Sequence, residues 1–199
     1  MFSSETWFTK TGADFYNGAT SKSARFRQPD SSYLSKNFSS DGNTKTMTFS
    51  WWFKRGQSTI GPYNIGEFFN HGQSGAGGSQ SSARITLEAD KLNIAHEDNN
   101  STSWELISNN LFRDSTNWYH FVVAFDTTQS TNTNRVKAYV NGTELTYSTA
   151  SYPSEDADLR FGQDEQYIGV SIGSGSPWSA TYLDGYICDI NFVESRKRL

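Results

Sequence analysis

"NWYHFVVAFDTTQSTNTNRVKAYVNGTEL", residues 117–145, decides the fold class. Tyr119, Phe121, Val123 and Phe125 alternate with His120, Val122 and Ala124, the period-two pattern of a strand with one face in a core. The outward positions are less polar than usual, which predicts a central strand covered on both sides. "DTTQSTNTN" is too long for a tight turn and reads as a loop between antiparallel partners. Val136, Ala138 and Val140 form the return strand. Asn141 and Gly142 both tolerate positive φ, so they predict a type I′ turn into "TELTY".

The same period recurs on either side. In "TKTMTFSWWFKRG", Met47, Phe49, Trp51 and Phe53 share a predicted core face, and Thr46, Thr48, Ser50, Trp52 and Lys54 point away. "ARITLEADKLNIAHED" reads as a hairpin, with Ile85 and Leu87 before a turn at 89–91 and Leu92 and Ile94 after it. Residues 70–82, "NHGQSGAGGSQSS", lack packing side chains and predict a flexible loop. In "TYLDGYICDINFV", Leu183, Gly185 and Ile187 share one parity, while Ile190 and Phe192 take the other. One extra residue near Cys188 and Asp189 would return both sets to one core, which predicts a β-bulge. No helical period interrupts the strands. The expected architecture is all-β, a two-sheet antiparallel sandwich.

Composition narrows the function classes. A chain of 199 residues supports one domain with a substantial core. Only 35% of residues are hydrophobic but 15% are aromatic, so a few large rings must do most of the filling. A net charge of -4, with no basic cluster before "SRKRL", argues against nucleic acid. No run reaches the length of a membrane span, and the first residues lack the pattern of a signal peptide, so synthesis in a cytosol is expected. The single Cys188 excludes an internal disulfide and a cysteine zinc site, and reads as a small buried hydrophobe. Gly75, Gly77 and Gly78 are followed by no Gly-Lys-Ser/Thr, so they form no P-loop. His71, His96 and His120 are scattered, and no serine-hydrolase or zinc-protease motif accompanies them.

"ARFRQPDSSYLS", "KTMTFSWWFKRG", the 117–145 hairpin and "LDGYICDINFV" occur in this order, and as an ordered set they resemble the laminin-G-like, concanavalin A-like jelly-roll domains. More closely, the chain resembles the version found in virion structural proteins of marine bacteriophages and cyanophages. The resemblance covers roughly residues 24–194. Residues 1–23 lie outside it and carry Trp7, Phe8, Phe15 and Tyr16, either as an added strand or as a docking arm for another subunit. Residues 195–199 form a basic tail.

The resemblance implies a curved sandwich used in adhesion, glycan binding or virion architecture. Hydrolases of this fold carry a nucleophile Glu, an assisting Asp and an acid Glu on one strand face, and retaining chemistry needs two carboxyls about 5–5.5 Å apart. Glu88 and Asp90 have the spacing for two of these, but Leu92 and Asn93 stand where the third acid belongs, so no enzyme is expected. Lectins of related shape hold Ca²⁺ through clustered oxygens, for which "HEDNN" and "SEDAD" offer Asp98, Asn99, Asp156 and Asp158; no other cofactor is expected. Trp52, Trp104, Trp178 and Tyr182 are aromatic candidates for a sugar platform, or equally for a second packing layer or subunit interface. The leading expectation is a non-enzymatic virion surface protein, on the capsid, a head fibre or the tail, with virion partners, weak host-glycan adhesion and a homo-oligomeric assembly, because open edge strands must be covered. The alternative is a carbohydrate-binding adhesin module acting on cell-surface glycans.

Overall fold

The computed structural model describes residues 22–38, 42–56, 65–74, 80–99, 101–162, 165–173, 176–177 and 182–194. The aromatic arm with Trp7, Phe8, Phe15 and Tyr16, the basic tail, the glycines 75, 77 and 78, and Trp178 lie outside the described residues. In chain order the first strands are β1 (Ala24–Phe26), β2 (Leu34–Asn37), β3 (Thr46–Arg55), β4 (Ile65–Ser74), β5 (Gln80–Glu88), β6 (Lys91–Asp98) and β7 (Ser101–Ser108). They are followed by β8 (Tyr119–Asp126), β9 (Val136–Val140), β10 (Thr143–Glu144), β11 (Tyr147–Ser151), β12 (Glu165–Ile168), β13 (Ile172–Gly173), β14 (Ser176–Pro177) and β15 (Gly185–Glu194).

Two antiparallel sheets face each other. One has six strands in the order β1-β15-β3-β8-β9-β10, the other seven in the order β11-β7-β6-β5-β4-β12-β2. Aromatic rings bridge the gap between them. Trp51 of β3 packs at 5.1 Å from Phe68 and 4.9 Å from Phe69 on the opposite sheet, and stacks at 5.3 Å on Phe121 of its neighbour β8. Phe49 meets Phe69 at 4.8 Å and Phe192 at 4.7 Å. Alternation along β3 and β8 delivers these rings to one face, and their quadrupoles favour the tilted and edge-on contacts they make.

The details follow from local backbone chemistry. Asn141 (φ 49°) and Gly142 (φ 81°) both take positive φ, the type I′ geometry that joins β9 to β10. On β15 the pairing passes from Cys188 opposite Trp52 to Asn191 opposite Ser50, so β15 carries one more residue than β3, and Asp189 takes φ 47°. This is the bulge the change of parity predicts, and it buries Ile187, Ile190 and Phe192 together. Arg135 secures the long loop of the 117–145 hairpin: its guanidinium donates to the carbonyls of Gln129, Ser130 and Pro153.

Two expectations are corrected. Residues 70–74 and 80–82 are strand, not loop, because β4 and β5 pair continuously to Ser74 opposite Gln80. Backbone hydrogen bonds extend a ladder without help from apolar side chains. The strand β8 is central in its sheet, but its outward residues Val122 and Ala124 are only half-buried. A Phe121→Ala variant is expected to lose about 3–5 kcal/mol of unfolding free energy, read by denaturant titration, because it empties the space shared with Trp51, Phe68 and Phe112.

Candidate functional site

The outer face of the seven-stranded sheet carries an unusual polar row. Along β5, Ala83, Ile85 and Leu87 enter the core, so Arg84, Thr86 and Glu88 point outward. Pairing places Glu67 of β4 and Asn93 of β6 directly opposite Thr86, one on each side. Glu67, Thr86 and Asn93 therefore form a transverse row across three strands, about 10 Å from end to end at ordinary strand spacing. Glu67, Thr86 and Asn93 are all buried, at 1%, 1% and 2% exposure.

Their hydrogen bonding is incomplete. The Asn93 amide nitrogen donates to Glu88 at 3.0 Å and to Glu105 at 2.9 Å, which leaves its Oδ1 without a partner. The Thr86 hydroxyl has none either, nor does Nε of Arg84, whose Nη1 meets Glu97 at 2.8 Å. A buried polar atom left unpaired costs free energy, so the two in the row and the neighbouring Arg84 Nε mark this face as the candidate site. Asn70 donates to Glu67 at 3.2 Å and accepts from the backbone of Ile172 at 3.1 Å. Burial pushes the Glu67 carboxyl up to about 8, against the opposing pull of Arg84 and the Asn70 hydrogen bond.

Tyrosines close one flank. Tyr167 of β12 lies opposite Asn70, and its ring sits 6.2 Å from that of the exposed Tyr33. Tyr182, a sequence candidate, is 6.5 Å from Tyr33 and packs in a small cluster with Val170, Ile172 and Tyr167. It thus supports the Tyr33–Tyr167 pair from a buried position.

The other candidates are placed elsewhere. Trp104 is buried in the core beside Phe125 and stacked on His96, so its ring presents no face to a ligand; Trp104, Leu106 and Ser108 alternate inward along β7. Trp52 does point away from the core, half-buried on the outer face of the six-stranded sheet, and stacks on His120 at 4.8 Å. His120 is held in turn by Ser50 at 3.0 Å. Burial lowers its pKa, with Asp189 opposing.

Glu88 and Asp90 do not act as a pair. Asp90 occupies the β5–β6 turn with φ 68°, and its carboxylate is gripped by Arg55 and Arg113, each at 2.6 Å. Burial would raise the Asp90 pKa, but hydrogen bonds and charge from the two arginines outweigh it and hold the group low. The calcium candidates also have protein partners. Asp98 accepts from Ser103 and faces His96 and Arg160, Asp156 meets Lys45 at 3.2 Å, and Asp158 accepts from Thr44; Asn99 is exposed at a turn with φ 50°. Among the described residues no group of three or more His, Cys, Asp or Glu gathers as a metal site.

Sequence reasoning missed Glu67, Asn70, Arg84, Thr86 and Asn93. The signal was present as single polar residues within apolar runs, Glu67 before Phe68 and Asn93 between Leu92 and Ile94.

Two stability measurements test this electrostatic reading. A raised carboxyl pKa makes the folded state weakest where the unfolded chain has already ionised, so Glu67 is most costly as pH climbs from its free value of 4.5 towards about 8. Relative to wild type, Glu67→Gln is expected to gain stability over that window by up to about 1.4 kcal/mol per pH unit, measured by denaturation across pH. Asp90 has the opposite sign: its contribution is complete above the free value of 3.8 and is lost as pH falls through the depressed folded value. Asp90→Asn keeps a residue suited to positive φ and is expected to cost about 3 kcal/mol at neutral pH, because Arg55, 1% exposed at its side chain, loses its ion pair with the Asp90 carboxylate.

Comparison with known proteins agrees with this architecture. Residues 28–196 match the laminin G-type family described as the Concanavalin A-like lectin/glucanases superfamily, and the chain belongs to it. Sequence comparison with curated proteins yields no match. Among solved structures, the Ruminococcus gnavus IT-sialidase CBM40 bound to alpha2,6 sialyllactose shares 13% identity at a TM-score of 0.53, covering 83% of this chain and 94% of that one. The Botulinum neurotoxin serotype D binding domain shares 13% identity at a TM-score of 0.51; 83% of this chain covers 37% of it. The NanB sialidase from Streptococcus pneumoniae shares 16% identity at a TM-score of 0.51, with 80% of this chain covering 26% of that chain. At these identities the likeness establishes the fold. None of the three is a virion protein, so the phage assignment rests on the sequence resemblance alone.

Proposed function

From membership in this superfamily, we propose that the protein is a carbohydrate-binding module that holds a glycan on the outer face of the seven-stranded sheet without cleaving it. The observation that carries the reading is the Glu67–Thr86–Asn93 row with its unpartnered Thr86 hydroxyl and Asn93 carbonyl. Sugar hydroxyls both donate and accept, so they match a row that offers a hydroxyl, a free carbonyl and a carboxylic acid. Tyr33 and Tyr167 add aromatic surface beside it. The fold shared with a sialidase carbohydrate-binding module supports this reading above the virion one.

The positions of the acids support a reading without cleavage. Asp90 is locked to two arginines in a turn, and Glu88 and Glu105 each accept a hydrogen bond from the Asn93 amide. Glu67 does have the raised proton affinity of a general acid, so product release belongs in the same experiment. On a glycan array the protein is expected to bind at least one glycan class, equally with calcium or a chelator, and to release no fragments. Thr86→Val, close in shape, is expected to weaken that binding about tenfold by removing the hydroxyl. No binding to any glycan sinks the reading, and fragment release converts it to a hydrolase. A virion surface location is our proposal from the phage resemblance, checked by searching for the chain in purified particles.

A further inference from the structure

The glycan reading leaves open which sugars the row accepts, and the charges around it speak to that. Glu67, Glu88, Glu97 and Glu105 share the outer face of β4 to β7. Against them stand Arg84 and Lys91 on the same face. Arg84 is committed to Glu97 at 2.8 Å, and Lys91 reaches across to Ser148 at 3.4 Å. A carboxylated sugar is best held by a guanidinium whose charge is not already met; the charge of Arg84 is met by Glu97, although its Nε stays open, and the ammonium of Lys91 is no fork. A second anion brought beside Glu88 and Glu105 would meet like charge, a juxtaposition that costs several-fold to orders of magnitude in affinity. The unpartnered atoms have the complementary preference: Oδ1 of Asn93 can only accept, and the Thr86 hydroxyl accepts as well as donates, so both suit the hydroxyl or amino hydrogens of a sugar.

Resting on the glycan reading above, we propose that the Glu67–Thr86–Asn93 row selects neutral and amino sugars and rejects sialic and uronic acids. The acidic surround sets the sign of the selection, and the buried, unpartnered Thr86 and Asn93 are the independent observation that points to a ligand there.

The test uses the full chain and three matched oligosaccharide sets: N-acetylhexosamine oligomers, their deacetylated amino forms, and sialylated or uronate-bearing oligomers. Titration calorimetry is expected to show the first two sets binding at least about tenfold more tightly than the third. Equal or tighter binding of the carboxylated set overturns the selection but leaves the glycan reading intact. Binding of none of the sets ends both. Glu88→Gln with Glu105→Gln keeps acceptors for the Asn93 amide while removing two charges, and is expected to shrink the ratio of neutral to carboxylated binding several-fold. An unchanged ratio in that variant, with thermal melting showing it folded, also overturns the proposal.

Discussion

The contact between Trp51 and the rings of Phe68, Phe69 and Phe121 is what the rest of the molecule depends on. A chain with 35% hydrophobic residues cannot line both faces of two sheets with aliphatics. It concentrates its apolar surface in rings that reach across the sandwich, where each fills the volume of several smaller side chains. Phe49, Phe125, Phe161 and Phe192 extend the same interlock along the core. Because these rings hold the sheets at one separation and register, the outer faces are free to carry polar residues.

That division of labour creates the candidate site. Along β5 and β6 inward and outward residues alternate, and in β4 the register shift between Glu67 and Phe69 lets Phe68 and Phe69 both reach the core while Glu67 stays opposite Thr86, so the core pattern also fixes which polar groups stand side by side outside. Thr86 sits between Ile85 and Leu87, and Asn93 between Leu92 and Ile94, each flanked by fully buried neighbours. A frame this rigid can hold unpartnered groups in place, because collapse onto them would require repacking the core. Glu67 is the extreme case: the environment that buries it makes proton release costly, so it tends to remain a neutral acid in a strongly acidic surround.

Structural and functional charges are kept apart by the same geometry. Arg55 and Arg113 close on Asp90 at the β5–β6 turn, and Arg135 fastens the loop between β8 and β9. These cations are spent on backbone shape, where residues with positive φ and long polar loops need support. On the outer sheet face, by contrast, carboxylates outnumber cations, and this imbalance gives the surface its chemical character.

Much of the scaffold was legible in the residues because alternation is local. The strand of 119–125, the Asn141–Gly142 turn and the bulge at Cys188–Asp189 each depend on near neighbours in the chain, and each is found. Trp104 shows the limit: its polar surroundings in "STSWELIS" suggested exposure, but alternation with Leu106 carries it inward. The site was less legible, since a lone Glu67, Thr86 or Asn93 looks like any other polar residue between hydrophobes. By itself the sequence determined the strands, their faces and the aromatic core, because each of these follows from side-chain period and turn chemistry within a few residues. Only the tertiary structure decided that Glu67, Thr86 and Asn93 form a row, since strand register joins positions far apart in the chain and burial then sets their protonation and leaves their hydrogen bonds unfilled.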